Sequence, residues 1–171
     1  MRKFRLVIIT GLPGTGKTTL ARDLARRHAL PLICKDTIKE PLLDKLSGQL
    51  SSRALSDIAF AVMFAVAKEH LALGSSVILE GNFRCGEHEA PLLAALPLSP
   101  SSPPDILQVL CRAEESQRRA IMLGRSSDPT RHPGHRDAQQ LQPVAACDAF
   151  LELPGERHSY RVGFSSCETF F

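Results

Sequence analysis

Along the chain, short apolar runs alternate with segments in which apolar residues recur every three or four positions. Phe4 to Thr10 (FRLVIIT) is rich in β-branched and aliphatic residues and ends at a glycine, the pattern of a parallel strand buried on both faces. From Lys17 to about His28, Leu20 and Leu24 recur at helical spacing while Arg22, Arg26 and Arg27 fall on the wet side, which predicts an amphipathic helix. Leu32 to Cys34 predicts a second, short strand with Asp36 just past its carboxyl end. Thr37 to Leu46 predicts a helix that must hold Pro41 in its first turn. Ser51 to Leu73 predicts a long helix with a small-residue face, stopped by Gly74. Ser76 to Glu80 and Asp105 to Cys111 read as two further strands, separated by a short helix near Glu87 to Leu96 and a Ser/Pro loop over 97–104. Ala113 to Gly124 reads as helix, Arg125 to Arg136 as a polar loop, Asp137 to Phe150 as helix despite Pro143, and Tyr160 to Phe164 as a last strand. Strand alternating with helix predicts an α/β fold, a parallel sheet with helices on both faces. Neither flank of the Ser/Pro loop could fold alone, so residues 1–171 are expected to form a single domain.

Composition changes this picture little and excludes several alternatives. The 171 residues are 43% hydrophobic and 23% charged, ordinary for a globular chain and unlike a disordered or collagenous one. The longest apolar run, Ile58 to Ala67, falls well short of the ~20 residues a membrane span needs. The N-terminus lacks a leader-like apolar core and small-residue cleavage site, so a cytoplasmic location is expected. Five cysteines, Cys34, Cys85, Cys111, Cys147 and Cys167, are odd in number and contain no C-x-x-C pair, which argues against a disulfide framework or zinc knuckle. A net charge of +3, with 15 of 21 basic residues being Arg, suits an anionic small molecule without demanding nucleic acid.

The chemistry-bearing signal is Gly11-Leu-Pro-Gly14-Thr15-Gly16-Lys17-Thr18, a full G-x-x-x-x-G-K-[ST] between a predicted strand and a predicted helix. The glycines let backbone N–H groups turn inward around phosphates, Lys17 reaches the β- and γ-phosphates, and Thr18 offers an oxygen to Mg²⁺. The nucleotide-binding set is then Gly11, Gly14, Thr15, Gly16, Lys17, Thr18 and Thr19. No N-K-x-D for guanine is present, and Leu46-Ser-Gly-Gln49 comes too soon after this loop, and lacks the second glycine, for a transporter signature; it reads as a turn. No apolar strand ends in Asp; the third strand instead runs Val77-Ile-Leu-Glu80-Gly-Asn82-Phe83.

Four segments together, GLPGTGKTTLA at 11–21, Cys34-Lys35-Asp36-x-x-Lys39, VILEGNF at 77–83 and an Arg-rich stretch ending Arg131-His-Pro-Gly-His135, resemble the small P-loop kinase superfamily. The resemblance is to its AAA-type, zeta-toxin-like subgroup around polynucleotide 5′-kinase, chloramphenicol phosphotransferase and gluconate kinase. It implies a P-loop NTPase three-layer sandwich with a five-stranded parallel sheet and a helical, Arg-rich lid near 118–137. It also implies transfer of the γ-phosphate of ATP, with Mg²⁺, to a hydroxyl of a small molecule. Asp36 would then be the base and Lys39 a grip on the acceptor, where polynucleotide kinases typically carry Arg. Ligand binding beyond strand carboxyl ends supports Asp36 independently, although an N-cap for the helix at Thr37 is an alternative role.

Glu80 is a candidate for the metal's hydration shell, or simply an acid at a strand exit. Asn82, Phe83 and Arg84 fall on the acceptor side, with Phe83 either a stacking platform or core. Arg118, Arg119, Arg125, Arg131 and Arg136 face one acid, Asp128, over 118–136, which suits a lid that neutralises the transferring phosphate. Among them Arg118 and Arg125 are catalytic candidates and Arg131 a nucleotide contact. His132 and His135 have metal-compatible spacing, but the intervening Pro-Gly turn favours contact with phosphate or acceptor. By the resemblance, adenine would lie near Phe164 to Cys167. Two rivals remain: a polynucleotide 5′-hydroxyl kinase, and a nucleotide-binding regulatory or toxin-like protein whose hydrolysis is incidental.

Overall fold

A computed structural model describes residues 5–96, 105–135 and 148–161. In chain order the elements are β1 (Arg5–Thr10), α1 (Lys17–His28), β2 (Leu32–Cys34), α2 (Lys35–Leu46), α3 (Ser52–Ala72), β3 (Val77–Glu80), α4 (Glu89–Ala95), β4 (Asp105–Arg112), α5 (Glu115–Ser126) and β5 (Glu156–Arg161). The strands form one sheet in the order β2-β3-β1-β4-β5, every pairing parallel.

Because side chains alternate across a strand, β1 serves two cores at once. Leu6 and Ile8 join Phe60, Met63, Phe64 and Leu71 of α3 on one face. Val7 and Ile9 join Leu20, Ala21 and Leu24 of α1 on the other. All four β1 residues are fully buried, which is why this strand reads as a continuous apolar run.

β1 leaves the sheet through a tight turn. Gly11 has φ +136°, and a Cβ there would stand 2.2 Å from the Cys111 carbonyl oxygen of neighbouring β4. Gly16 ends the loop at φ +78° and caps α1 in the left-handed region. Between them the Thr15 hydroxyl donates to the Leu12 carbonyl at 2.7 Å, and the Lys17 ammonium donates to the same oxygen at 2.8 Å.

Three expectations about the elements need correction. α2 begins at Lys35, with Cys34 as a cap that makes no side-chain hydrogen bond, so Asp36 lies inside the first turn rather than capping a helix at Thr37. Pro41 sits in the interior of α2, two turns from its start, where its ring leaves the Thr37 carbonyl without a helical donor. β5 runs Glu156–Arg161 instead of starting at Tyr160. Its sequence is polar because it is an edge strand, so it lacks the apolar run that marks a buried one. Of the proposed helix over 137–150, residues 148–150 are not helical and the rest lies outside the described residues, as do the Ser/Pro loop and Phe164 to Cys167. Ser51 caps α3 by accepting from the Ala54 N–H at 3.1 Å, and Gly74 follows its end at φ +73°.

The Gly11 geometry carries a prediction. Gly11→Ala forces a left-handed backbone on an L-residue, a cost of about 1–3 kcal/mol before the Cys111 clash is counted. Thermal unfolding should show a fall in Tm of several degrees, and ATP titration should show weakened binding. An unchanged Tm would contradict the close approach.

Candidate active site

The carboxyl edge of the sheet opens into a cavity of about 1010 Å³, walled by the loop after β1, the ends of β2 and β3, and parts of α2, α3 and the segment after α5. β3 lies between β1 and β2. That order sets Glu80, the last residue of β3, between the glycine-rich loop and Asp36. Gly14, Gly16, Lys17, Thr18 and Thr19 reach the cavity wall; Gly11 and Thr15 support the loop from behind, Thr15 being 2% exposed.

Two carboxylates here lie in opposed electrostatic settings. Burial pushes the Asp36 carboxyl up, but the Lys35 ammonium, 2.6 Å from Oδ1, outweighs it and holds Asp36 below the usual carboxylate range, helped by Lys17 and, when its ring is protonated, by His135. Lys35 is itself 7% exposed and also donates to the Asn82 side-chain oxygen at 3.4 Å. Glu80 is 6% exposed, and burial pushes its carboxyl above the usual range against the pull of Lys17. Cys34 shares a hydrogen bond with Glu80, and burial together with that acid pushes its thiol up to about 12, so it is an inert thiol at neutral pH. Burial lowers the Lys17 ammonium from its ordinary value, against the attraction of Glu80.

Arg125, Arg131, Lys35, Lys39, Arg53 and Arg84 all line the cavity. Lys39 donates to the Ser52 hydroxyl at 2.9 Å, tying α2 to the start of α3. Arg53 holds Asp57 at 3.1 Å and Glu87 at 2.5 Å, and Arg84 reaches the same Glu87 oxygen at 3.3 Å. Arg53, Glu40 and Lys35 escaped the sequence reading as wall residues. Only the Asp36, Glu40, Asp44 spacing of four could have flagged one acidic face of α2.

Two candidate residues stand elsewhere than expected. Phe83 is fully buried, its ring centroid 5.2 Å from Phe60 and 6.3 Å from Phe64, so it is core and not a platform on the cavity. Arg118 is 2% exposed and sits under the glycine-rich loop, its Cγ 3.1 Å from where a Gly14 Cβ would be; it is not on the cavity wall. The turn of helix between Arg118 and Arg125 therefore separates a supporting residue from one that faces the cavity. Arg119 is half exposed and pairs with Glu115 at 3.5 Å, and Arg136 lies outside the described residues.

His132 and His135 dock on α2. His132 Nδ1 accepts from the Gly134 N–H at 3.0 Å, so Nε2 carries the proton toward Asp44, also at 3.0 Å. His135 Nε2 lies 2.6 Å from Glu40, and its Nδ1 lies 4.0 Å from Asp36 Oδ2. Among the described residues no group of three His, Cys, Asp or Glu is placed to hold a metal ion. Thr18 and Glu80 are hard oxygen donors that both line the cavity, a pair compatible with Mg²⁺, which takes few protein ligands and completes its shell with phosphate and water. Cys34, Cys85 and Cys111 form no disulfide, and no helix among the described residues is long and apolar enough to cross a membrane.

Comparison with known proteins agrees with this geometry. Residues 6–143 match the AAA domain family. A crystal structure from Chloroflexus aurantiacus, provisionally described as a kinase, superimposes with TM-score 0.78 and 29% identity over 96% of this chain and 88% of that one. A sugar kinase from Janibacter sp. HTCC2649 shares the fold at TM-score 0.61 and 18% identity, covering 92% of this chain and 84% of that one. A chain of the Pnkp1/Rnl/Hen1 RNA repair complex shares it at 0.57 and 17%, covering 82% and 44%. Uncharacterised proteins of Mycobacterium tuberculosis and Mycobacterium bovis are 37% identical over 90 residues, which is 46% of this chain and 18% of theirs. The chain thus spans about a fifth of the length of these curated relatives. With a glycine-rich phosphate loop at the carboxyl edge of a 2-3-1-4-5 parallel sheet, and a match over most of its length, the chain belongs to the AAA domain family and has the fold of the small P-loop kinases.

Proposed function

We propose that this protein is a Mg²⁺-dependent kinase that moves the γ-phosphate of ATP to a hydroxyl group of a small-molecule acceptor. The observation that carries this reading is Asp36. Its carboxylate, kept ionised by Lys35 at 2.6 Å, lines the same cavity as Lys17 of the phosphate loop. A nucleotide-binding protein with incidental hydrolysis has no need of an ionised acid opposite its phosphate loop.

The loop N–H groups and the α1 N-terminus would receive the phosphates, with Lys17 leaving the Leu12 carbonyl for a phosphate oxygen, a stronger charged acceptor. Thr18 and Glu80 would hold Mg²⁺, which when bound supplies positive charge against the phosphate oxygens. Asp36 would orient the acceptor hydroxyl and take its proton as the oxygen attacks phosphorus. Its depressed basicity suits a loose transition state, in which the proton leaves late. Arg125, facing the cavity from the end of α5, would neutralise charge on the transferring group, with Arg131 on the nucleotide. Lys39, Asn82 and Arg84 would hold the acceptor.

An acceptor screen, read by ADP release and by the mass shift of the acceptor and run beside an acceptor-free ATPase assay, tests the reading. An oligonucleotide 5′-hydroxyl belongs in the same screen. Phosphorylation of a small alcohol supports the proposal, and ADP release that no acceptor accelerates overturns it.

Three substitutions sharpen the test. Asp36→Asn keeps shape but cannot take a proton, so ATP affinity should stay within a few fold while turnover falls ~10²–10⁴-fold. Lys17→Ala and Arg125→Ala should each lower turnover by at least ~10²-fold, since each removes charge that acts on the transferring phosphate. The Asp36 setting makes a separate forecast for carboxyl NMR titration. In the wild type the Asp36 midpoint should lie below the ordinary ~3.9 and that of Glu80 above ~4.3. Lys35→Met should raise the Asp36 midpoint, because burial then acts with less opposing charge. Asp36 contributes stability that is present above its unfolded midpoint and lost as pH falls through the lower folded one, so Lys35→Met should also weaken the protein at neutral pH.

A further inference from the structure

The one motif without a chemical role is His132-Pro-Gly-His135, and its second histidine lies between two acids of α2. His135 Nε2 is 2.6 Å from Glu40 Oε1, while Nδ1 is 4.0 Å from Asp36 Oδ2. Lys35 occupies the other Asp36 oxygen, Oδ1, so Oδ2 is the oxygen left to face both the cavity and His135. A carboxylate only accepts, so the short contact puts a proton on Nε2, and in the neutral ring this leaves the lone pair on Nδ1. A lone pair facing an ionised carboxylate gains nothing, consistent with 4.0 Å being too long for a hydrogen bond. Once Oδ2 carries a proton the same pair becomes donor and acceptor, and the separation has a reason to close. Among the described residues the His132 ring centroid lies 6.1 Å away, and Lys35 and Lys17 act on Asp36.

We propose that His135 is a relay that removes the acceptor's proton from Asp36, a role that rests on Asp36 being the base. As the acceptor oxygen bonds to phosphorus and the bond to the ADP oxygen breaks, the hydroxyl proton passes to Asp36 Oδ2. Oδ2 then gives it to His135 Nδ1, forming an imidazolium whose Nε2–H stays on the Glu40 carboxylate. Water takes the Nδ1 proton after product leaves, which restores carboxylate and neutral ring with no net change beyond the kinase reaction. A carboxyl held below its usual range by Lys35 binds a proton weakly, so Asp36 alone offers the hydroxyl proton a poor resting place. The plain alternative is that His135 only docks the segment after α5 onto α2.

His135→Gln separates the two, because the amide N–H can keep the Glu40 contact but cannot take a proton. With water as nucleophile, ADP release from Mg²⁺·ATP should fall ~10–100-fold in His135→Gln, the scale on which partners behind a functional group act, at unchanged KM for ATP. His135→Ala should fall similarly and regain several fold of its rate with added imidazole. Asp36→Asn should show no such rescue, and the Asp36→Asn, His135→Gln double variant should be no slower than Asp36→Asn alone. ¹⁵N spectra of the imidazole test the premise without turnover: neutral His135 must be the Nε2–H tautomer. An Nδ1–H tautomer, a wild-type rate in His135→Gln, or a loss that raises KM and ignores imidazole overturns the relay. His135→Gln near wild type beside an impaired Asp36→Asn removes the relay and leaves the base. A wild-type rate in Asp36→Asn removes both.

Discussion

β1 is hydrogen-bonded along both edges, to β3 and to β4, and covered on both faces by α3 and α1. A chain leaving such a strand can only turn over the carboxyl edge, and here it passes against the Cys111 carbonyl of β4. Only a residue without Cβ fits that passage. The sheet thus sets where the loop after it begins, and α1 starts on the cavity wall with Lys17, Thr18 and Thr19 lining it. Arg118 completes the support from beneath Gly14. Loop, helix dipole and cavity wall thus follow from where one apolar strand lies in the sheet.

The same strand order arranges the acids. β3 between β1 and β2 brings Glu80 next to Lys17 and sets Asp36 beyond it, so one carboxyl lies deep and the other near the cavity mouth. Burial dominates at Glu80 and a lysine neighbour dominates at Asp36, which drives their basicities apart. Pairs of titratable groups separated in this way are the usual arrangement where one must hold charge or metal and the other must handle a proton.

α2 links the two halves of the cavity. Its first turn carries Lys35 and Asp36, its outer face receives His132 and His135 through Asp44 and Glu40, and Lys39 ties it to α3. The segment bearing Arg131 therefore rests on the same helix that carries the candidate base, so the placement of one affects the other.

The buried strands and the phosphate loop were legible in the sequence because their signals are local. FRLVIIT can only be a strand covered on both faces, and Gly11, Gly14, Gly16, Lys17 and Thr18 carry their meaning in spacing alone. The start of β5 is not legible in sequence, because ERHSYR lies at a sheet edge, where water replaces the apolar pattern. Pro41 and the start of α2 are not legible in sequence, because packing against α3 and β2 overrides what a proline does to an isolated helix. Phe83 and Arg118 look in sequence like a base-stacking ring and a lid arginine, and only the cores and loop they pack against assign them to support. The meeting of Asp36, Glu40 and His135 joins positions almost a hundred residues apart, through the docking of one segment on one helix face. Sequence by itself determined the strand that must be buried and the loop that must turn. Tertiary structure decided which charges meet, because electrostatic partners are set by distance and burial, and neither is a local property of the chain.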